Sequence, residues 1–173
     1  DYVVVVDASQ SMFGERYERA TRLVRGMVAE MDRRDRVTVL ACDAMGCRPL
    51  AGEMQTPGAH AAEQIVELLE KEPPAGASDL AFAMREAISH AERLRAGGER
   101  ELELVYVGDG IASVGPRRAS TLSAEVSAIV SGRATLTTVG IGQDADAVVL
   151  AALARVGGGA YVPFVPGQST GQA

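Results

Sequence analysis

Short apolar runs rich in β-branched residues alternate along this sequence with longer stretches of helical periodicity. The first run is residues 2–6 and the last is residues 159–164. Between them, apolar residues recur every three or four positions over about 15–31, 59–70, 79–95, 120–130 and 145–156. Strands that alternate with helices lie mostly parallel in one sheet, because a parallel connection needs a crossover. The pattern therefore predicts an α/β, Rossmann-like, doubly wound domain with helices on both faces of the sheet.

One connection in this pattern is too short for a crossover. Strand-like residues 36–43 and 47–51 are separated only by the turn-forming stretch DAMG, which predicts an antiparallel hairpin at the edge of the sheet. If DAMG is a four-residue loop, Cys42 and Cys47 face each other within bridging distance. A disulfide and two free thiols are both open alternatives here, and a disulfide would indicate an oxidising compartment.

Length and charge restrict the classes of partner. The 173 residues fit one domain, which we expect to span residues 1–164, with a flexible polar tail at residues 165–173. The net charge of -6 disfavours non-specific binding to nucleic acid or to an anionic membrane. The sequence has no run of ~20 apolar residues, so no direct membrane insertion is expected. Since the first residue already adjoins a strand, we expect a domain excised from a larger multidomain protein.

Oxygen-bearing side chains follow several of the predicted strands. In an open α/β sheet, ligands bind outside the carboxyl ends of the strands. Candidate ligands are Asp7, Ser9 and Ser11 after the first strand, Asp109 at the end of a later strand, and Ser78 and Asp79 at the start of a helix. They are hard oxygen donors without sulfur or imidazole, which suits Mg²⁺, Mn²⁺ or Ca²⁺ rather than zinc or copper. The sequence therefore predicts a divalent-cation site at this edge.

These motifs resemble the von Willebrand factor type A (VWA) domain, over about residues 1–164. That family carries a metal-ion-dependent adhesion site (MIDAS) written DxSxS…T…D. Its first element is matched by Asp7, Ser9 and Ser11. Ser78 stands where the family usually has threonine, and Asp109 lies in VGDG where the family usually reads TDG. The stretches MDRRDRVTVLACD and GASDL resemble the subgroup of inter-alpha-trypsin inhibitor heavy chains and their bacterial relatives.

The resemblance implies a non-enzymatic adhesion or scaffold module. In the family, a carboxylate from a partner protein fills an open position on the cation. The resemblance assigns the cation to Asp7 and the three serines, with Asp109 binding directly or through water. Asp79 would accept a hydrogen bond from a coordinated water and so orient it. Ser78 keeps the hydroxyl of threonine, whereas Gly108 removes a side chain beside Asp109, so we expect weakened metal affinity.

Other interpretations of the same residues stay open at this point. Asp7 or Ser78 alone could be an ordinary turn or helix-cap residue. The domain could be an intracellular adaptor of an ATPase or chelatase-type complex, although we expect an exported or cell-surface location. A phosphatase-like enzyme with Asp7 as nucleophile would need a second aspartate where Ser9 stands, and a basic residue that the key loops lack.

The histidines have no partners that suggest catalysis. His60 and His90 lie in helical patterns and lack the serine or cysteine context of a triad. We expect both to be solvated helix residues.

Overall fold

A single six-stranded sheet organises the computed structural model, which describes residues 1–95 and 100–164. The strands are β1 (Tyr2–Asp7), β2 (Val37–Asp43), β3 (Gly46–Pro49), β4 (Glu103–Gly108), β5 (Thr135–Ile141) and β6 (Gly158–Phe164). The helices are α1 (Glu15–Glu30), α2 (Ala59–Leu69), α3 (Leu80–Leu94), α4 (Ala119–Val130) and α5 (Ala147–Val156), with a short 3₁₀ turn at Gln10–Met12. The strand order is β3-β2-β1-β4-β5-β6, and all pairs are parallel except β2–β3. The predicted fold class is therefore confirmed.

The valine run of β1 explains why this strand lies inside the sheet. Val3 and Val5 belong to the core formed with α3, α4 and α5, whereas Val4 and Val6 belong to the core formed with α1 and α2. All four side chains are 0% exposed. A strand covered on both faces needs a continuous apolar run rather than an alternating one. The run ends at Asp7, which places the first polar side chains at the carboxyl edge of the sheet.

The β2–β3 hairpin has a tighter turn than the sequence suggests. Asp43 pairs with Gly46, so the turn contains only Ala44 and Met45. The Asp43 Oδ1 atom accepts from the N–H of Met45 at 2.7 Å and of Gly46 at 3.2 Å, which lets an aspartate close the turn locally. Cys42 and Cys47 are directly opposite in the ladder. They form a disulfide, which decides between the two alternatives left by the sequence.

Aspartate caps set the first residues of two helices. Asp79 precedes α3 and accepts from the N–H of Phe82 at 2.9 Å, and Asp146 precedes α5 and accepts from the N–H of Val149 at 3.0 Å. Both are N-cap interactions, which satisfy backbone donors that have no partner inside the helix. Consequently α5 begins two residues later than predicted, and residues 142–146 stay a loop at the carboxyl edge.

One expectation about the histidines is wrong. His60 is exposed, as predicted, but His90 is only 7% exposed. Its Nε2 atom lies 3.5 Å from Oγ1 of Thr38 on β2, because His90 is on the face of α3 that packs against the sheet. Burial lowers the pKa of His90, and the nearby charge of Arg93 lowers it further.

Two further sequence predictions concern the tail and membrane insertion. The predicted flexible tail, residues 165–173, lies outside the described residues. Among the residues described, no helix combines the length and the apolar character needed to cross a membrane.

Candidate cation site

Backbone hydrogen bonds join the loops at the carboxyl edge of the sheet. They connect the β1–α1 loop to the loop before α3, and that loop to both the β2–β3 turn and the β4–α4 loop. A further bond joins the β4–α4 loop to the β5–α5 loop. The bonds are Gln10 N to Gly76 O (2.9 Å), Ala44 N to Ala77 O (2.8 Å), Val114 N to Ser78 O (3.1 Å) and Asp146 N to Asp109 O (2.7 Å). The loops that carry the predicted ligands therefore meet at one edge.

Asp7 is the centre of this group. Its side chain is buried, with Asp7 3% exposed. Its Oδ1 atom accepts from the N–H of Ser9 at 2.8 Å. Its Oδ2 atom accepts from the hydroxyl of Tyr106 at 2.7 Å and from that of Ser78 at 3.3 Å. Burial raises the pKa of Asp7 and the charge of Asp109 adds to this, against the opposing hydrogen bonds from Ser9 and Tyr106.

The three serines surround Asp7 at different depths. Ser9 and Ser78 are buried, whereas Ser11 is exposed. The Oγ atoms of Ser9 and Ser11 lie 3.1 Å apart, so the alternate positions of the DxSxS motif do point to the same side. Ser78 is held by its own N–H, which donates to Oγ of Ser113 at 2.9 Å. Asp7, Ser9, Ser11 and Ser78 thus form one connected cluster that opens toward solvent at Ser11.

Asp109 lies beside this cluster and is 0% exposed. Its Oδ1 atom accepts from the N–H of Ile111 at 2.9 Å. Its Oδ2 atom lies 3.3 Å from Nη1 of Arg16, which also donates to the carbonyl oxygen of Ser11 at 3.1 Å. Arg16 further pairs with the exposed Asp144. Arg16 therefore links Asp109 to the serine loop.

Sequence reasoning missed Arg16. The sequence predicts that the key loops themselves lack a basic residue, and Arg16 lies outside them, in the first turn of α1. Its long side chain nevertheless extends back over the site, to Asp109 and to the carbonyl oxygen of Ser11. The sequence does carry a signal: the helix after the first strand begins at the carboxyl edge, so its first turn borders any site there.

Asp79 has a structural role that its sequence position only partly suggests. One of its carboxylate oxygens caps α3 through Phe82, so the alternative in which Ser78 is the cap is wrong. The hydroxyl of Ser78 points instead to Asp7.

Tyr106 is the second residue that sequence reasoning missed. A Cβ atom on Gly108 would lie 2.4 Å from the Tyr106 hydroxyl oxygen and 2.6 Å from Cβ of Asp7, and both distances are too short for any side chain. Gly108 therefore leaves the space that the tyrosine hydroxyl uses. Residues 106 and 108 are two apart on a strand and so share a face, which is the signal that could have revealed this pair.

The chemistry of these donors suits a hard divalent cation. The polar atoms are carboxylate oxygens of Asp7 and Asp109 and hydroxyl oxygens of the serines, with one guanidinium nearby. Within residues 1–95 and 100–164, no cluster of three or more His, Cys, Asp or Glu side chains is placed to hold a metal. Such a donor set fits only an ion whose shell is completed by hydroxyls and waters, as Mg²⁺ allows. Two buried carboxylates beside one arginine also leave negative charge that a cation would offset.

Comparison with known proteins identifies the family. The family model for the von Willebrand factor type A domain matches residues 1–162. The chain belongs to this family. A search of curated proteins gives no significant match to this VWA domain.

Several solved structures share the fold of this VWA domain. An aerotolerance-related membrane protein from Bacteroides fragilis is 17% identical with a TM-score of 0.72, covering 94% of this chain and 90% of that one. A von Willebrand factor type A protein from Catenulispora acidiphila is 17% identical with a TM-score of 0.69, and the match covers 98% of this chain but 39% of that one. The manganese-loaded TRAP protein of Plasmodium vivax is 16% identical with a TM-score of 0.69, covering 95% and 68% respectively. At these identities the likeness extends to the fold alone.

Proposed function

We propose that this VWA domain is a non-enzymatic protein-binding module that uses a divalent cation, Mg²⁺ or else Mn²⁺ or Ca²⁺, to bind a carboxylate of a partner protein. The observation that carries the proposal is the cluster of Asp7, Ser9, Ser11 and Ser78 at the carboxyl edge of the sheet. The metal-loaded state of the Plasmodium TRAP protein, which has the same fold, supports it by analogy.

Each residue of the site would have a distinct role at the cation. Asp7 would anchor the ion, directly or through water, and the hydroxyls of Ser9, Ser11 and Ser78 would complete much of the protein's share of the shell. Asp109 would bind directly or through water. Asp79, with one oxygen in the α3 cap, would have its other oxygen free to orient a water. An ion held largely by neutral hydroxyls stays electrophilic and attracts a further anion.

The geometry of Asp7 argues against the phosphatase alternative. A nucleophilic carboxylate needs an accessible oxygen, whereas Asp7 is 3% exposed and both of its oxygens already accept hydrogen bonds. The domain is therefore proposed as a binding module rather than an enzyme.

The disulfide between Cys42 and Cys47 supports an exported or cell-surface location, because such bonds persist in oxidising compartments. Thiol titration of protein purified without reductant tests this. Two free thiols would instead favour the intracellular adaptor.

Isothermal titration with Mg²⁺ and with Mn²⁺ tests the cation site. Wild type is expected to bind, Asp7→Ala is expected to lose binding, and Asp32→Asn serves as a matched control. Asp32 is an exposed aspartate in the α1–β2 loop, at the opposite edge of the sheet. Absence of binding by wild type, or equal binding by wild type and Asp7→Ala, would refute the proposal.

A further inference from the structure

The exposed large apolar side chains of residues 1–95 and 100–164 share one edge of the sheet. They are Phe13 (68% exposed), Met45 (89%), Ile111 (40%), Val114 (42%) and Val148 (74%). Each lies in a loop or first helical turn that follows the carboxyl end of a strand. We refer to these five residues as the apolar rim.

The hydrogen-bonded loops hold the apolar rim around the candidate cation site. The N–H of Phe13 donates to the carbonyl of Gln10, inside the DASQSM segment. Met45 follows Ala44, which is bonded to the loop carrying Ser78, and the N–H of Val114 donates to Ser78 itself. Ile111 is bonded to the Asp109 carboxylate.

The last member is tied to the site in the same way. Val148 follows the α5 cap residue Asp146, whose N–H donates to the carbonyl of Asp109. The loops that carry the five apolar side chains therefore adjoin the site along the carboxyl edge of the sheet.

The exposed large apolar side chains are gathered at one edge rather than scattered singly over the surface. Single exposed apolar residues are normal anywhere on a surface, but several gathered around one point mark an interaction site. The opposite edge of the sheet has a different character. There the carboxylate of Asp1 forms ion pairs with Arg36, Arg95 and Arg100.

The charges beside the apolar rim favour an acidic partner. Arg117 and Arg118 are exposed just before α4, a helix that begins at the same edge. Within the described part of the chain, neither is in an ion pair. Although the chain as a whole carries a charge of -6, this edge offers unpaired cations beside apolar side chains.

We infer that the apolar rim is the docking surface for a partner-protein segment in which an acidic residue is flanked by bulky apolar residues. The inference rests on the proposed function, since the acidic residue would reach the cation site. The flanking side chains would bury against Phe13, Met45 and Val148, while Arg117 and Arg118 would face further acidic groups. Apolar anchors around a desolvated polar contact are the usual source of binding energy in protein interfaces.

A phage-display selection carried out with Mg²⁺ tests the inference. The library contains short peptides with a fixed central aspartate and randomised flanking residues. Enrichment of Leu, Ile, Phe or Met beside the aspartate is expected. The synthetic consensus peptide is then titrated by fluorescence anisotropy. It should bind the triple variant Phe13→Ser, Met45→Ser, Val148→Ser at least about tenfold more weakly than wild type. Met31→Ser, at the far end of α1, is the control and should bind as wild type does.

The alternatives give different results. Enrichment of polar flanks, no enrichment at all, or equal binding by wild type and the triple variant would overturn the inference. So would peptide-independent sedimentation with anionic vesicles, or a dimer that the triple variant dissolves, since these assign the rim to a membrane or a second copy. A different result would refute the proposed function alone. In that case the consensus peptide would bind equally well when its aspartate is replaced by asparagine and when EDTA replaces Mg²⁺, while the triple variant would still bind it more weakly.

Discussion

The hydroxyl of Tyr106 donates a 2.7 Å hydrogen bond to Oδ2 of Asp7, inside the sheet and out of contact with solvent. Burial raises the pKa of Tyr106 well above its ordinary value, and the charges of Asp7 and Asp109 act in the same direction. The hydroxyl therefore stays protonated and remains a donor. It orients the carboxylate that begins the DxSxS motif.

Replacement of Tyr106 by phenylalanine should destabilise the domain. The change removes the donor and leaves a buried carboxylate oxygen with only the longer bond from Ser78. We expect a loss of about 1–3 kcal/mol in the free energy of unfolding, measured by urea denaturation. Tyr161→Phe, a partly exposed site on β6, is the control and should change stability little. An unchanged urea midpoint for Tyr106→Phe would show that the hydrogen bond carries no net stability.

The space at Gly108 should be coupled to the tyrosine hydroxyl. Gly108→Ala places a methyl group 2.4 Å from that oxygen and 2.6 Å from Cβ of Asp7, so we expect a destabilisation of about 1–3 kcal/mol. In the double variant with Tyr106→Phe, part of the clash disappears. The double variant should therefore lose less stability than the sum of the losses in the two single variants. The contacts with Cβ of Asp7 (2.6 Å) and with Cζ of the aromatic ring (2.7 Å) persist, so the recovery is partial.

The control for this cycle is Gly52→Ala, because a Cβ at Gly52 meets no atom within 4 Å. It should change the free energy of unfolding little, alone or combined with Tyr106→Phe. Strict additivity of Gly108→Ala and Tyr106→Phe would argue that the two positions do not share this space.

The fold and the serine cluster were predictable because they depend on local patterns. The valine run of β1 and the spacing of Asp7, Ser9 and Ser11 both follow from short-range periodicity, and the parallel topology brings their loops to one edge. Arg16 and Tyr106 were not predicted, because their roles depend on where a long side chain ends rather than where its backbone lies. His90 was misassigned for a related reason: its helical pattern identifies α3 but does not show that His90 is on the face packed against the sheet.

Arg16 should weaken cation binding. Its guanidinium lies 3.3 Å from Oδ2 of Asp109, where its positive charge repels an approaching cation and partly neutralises a proposed ligand. Arg16→Gln should therefore raise Mg²⁺ affinity on the order of fivefold at low ionic strength, and by less at high salt because exposed charges are screened. Isothermal titration measures this. Arg19→Gln is the control, since Arg19 pairs with Glu15 on the helix surface. Equal or weaker Mg²⁺ binding by Arg16→Gln would instead indicate that the arginine supports the site.

His90 should make stability fall as the solution becomes acidic. Its folded-state pKa lies below the ordinary value of 6.5, so near that pH the unfolded chain binds more protons than the native state does. Stability then decreases as pH falls from about 6.5 through the lower folded-state pKa, and is fully retained above the unfolded value. Urea midpoints measured between neutral and mildly acidic pH should show this decline in wild type. The decline should be smaller in His90→Gln, which cannot titrate in this range, than in His60→Gln, where the exposed imidazole is lost and His90 remains. Parallel pH profiles for His90→Gln and His60→Gln would contradict the assignment of this acid sensitivity to the buried imidazole.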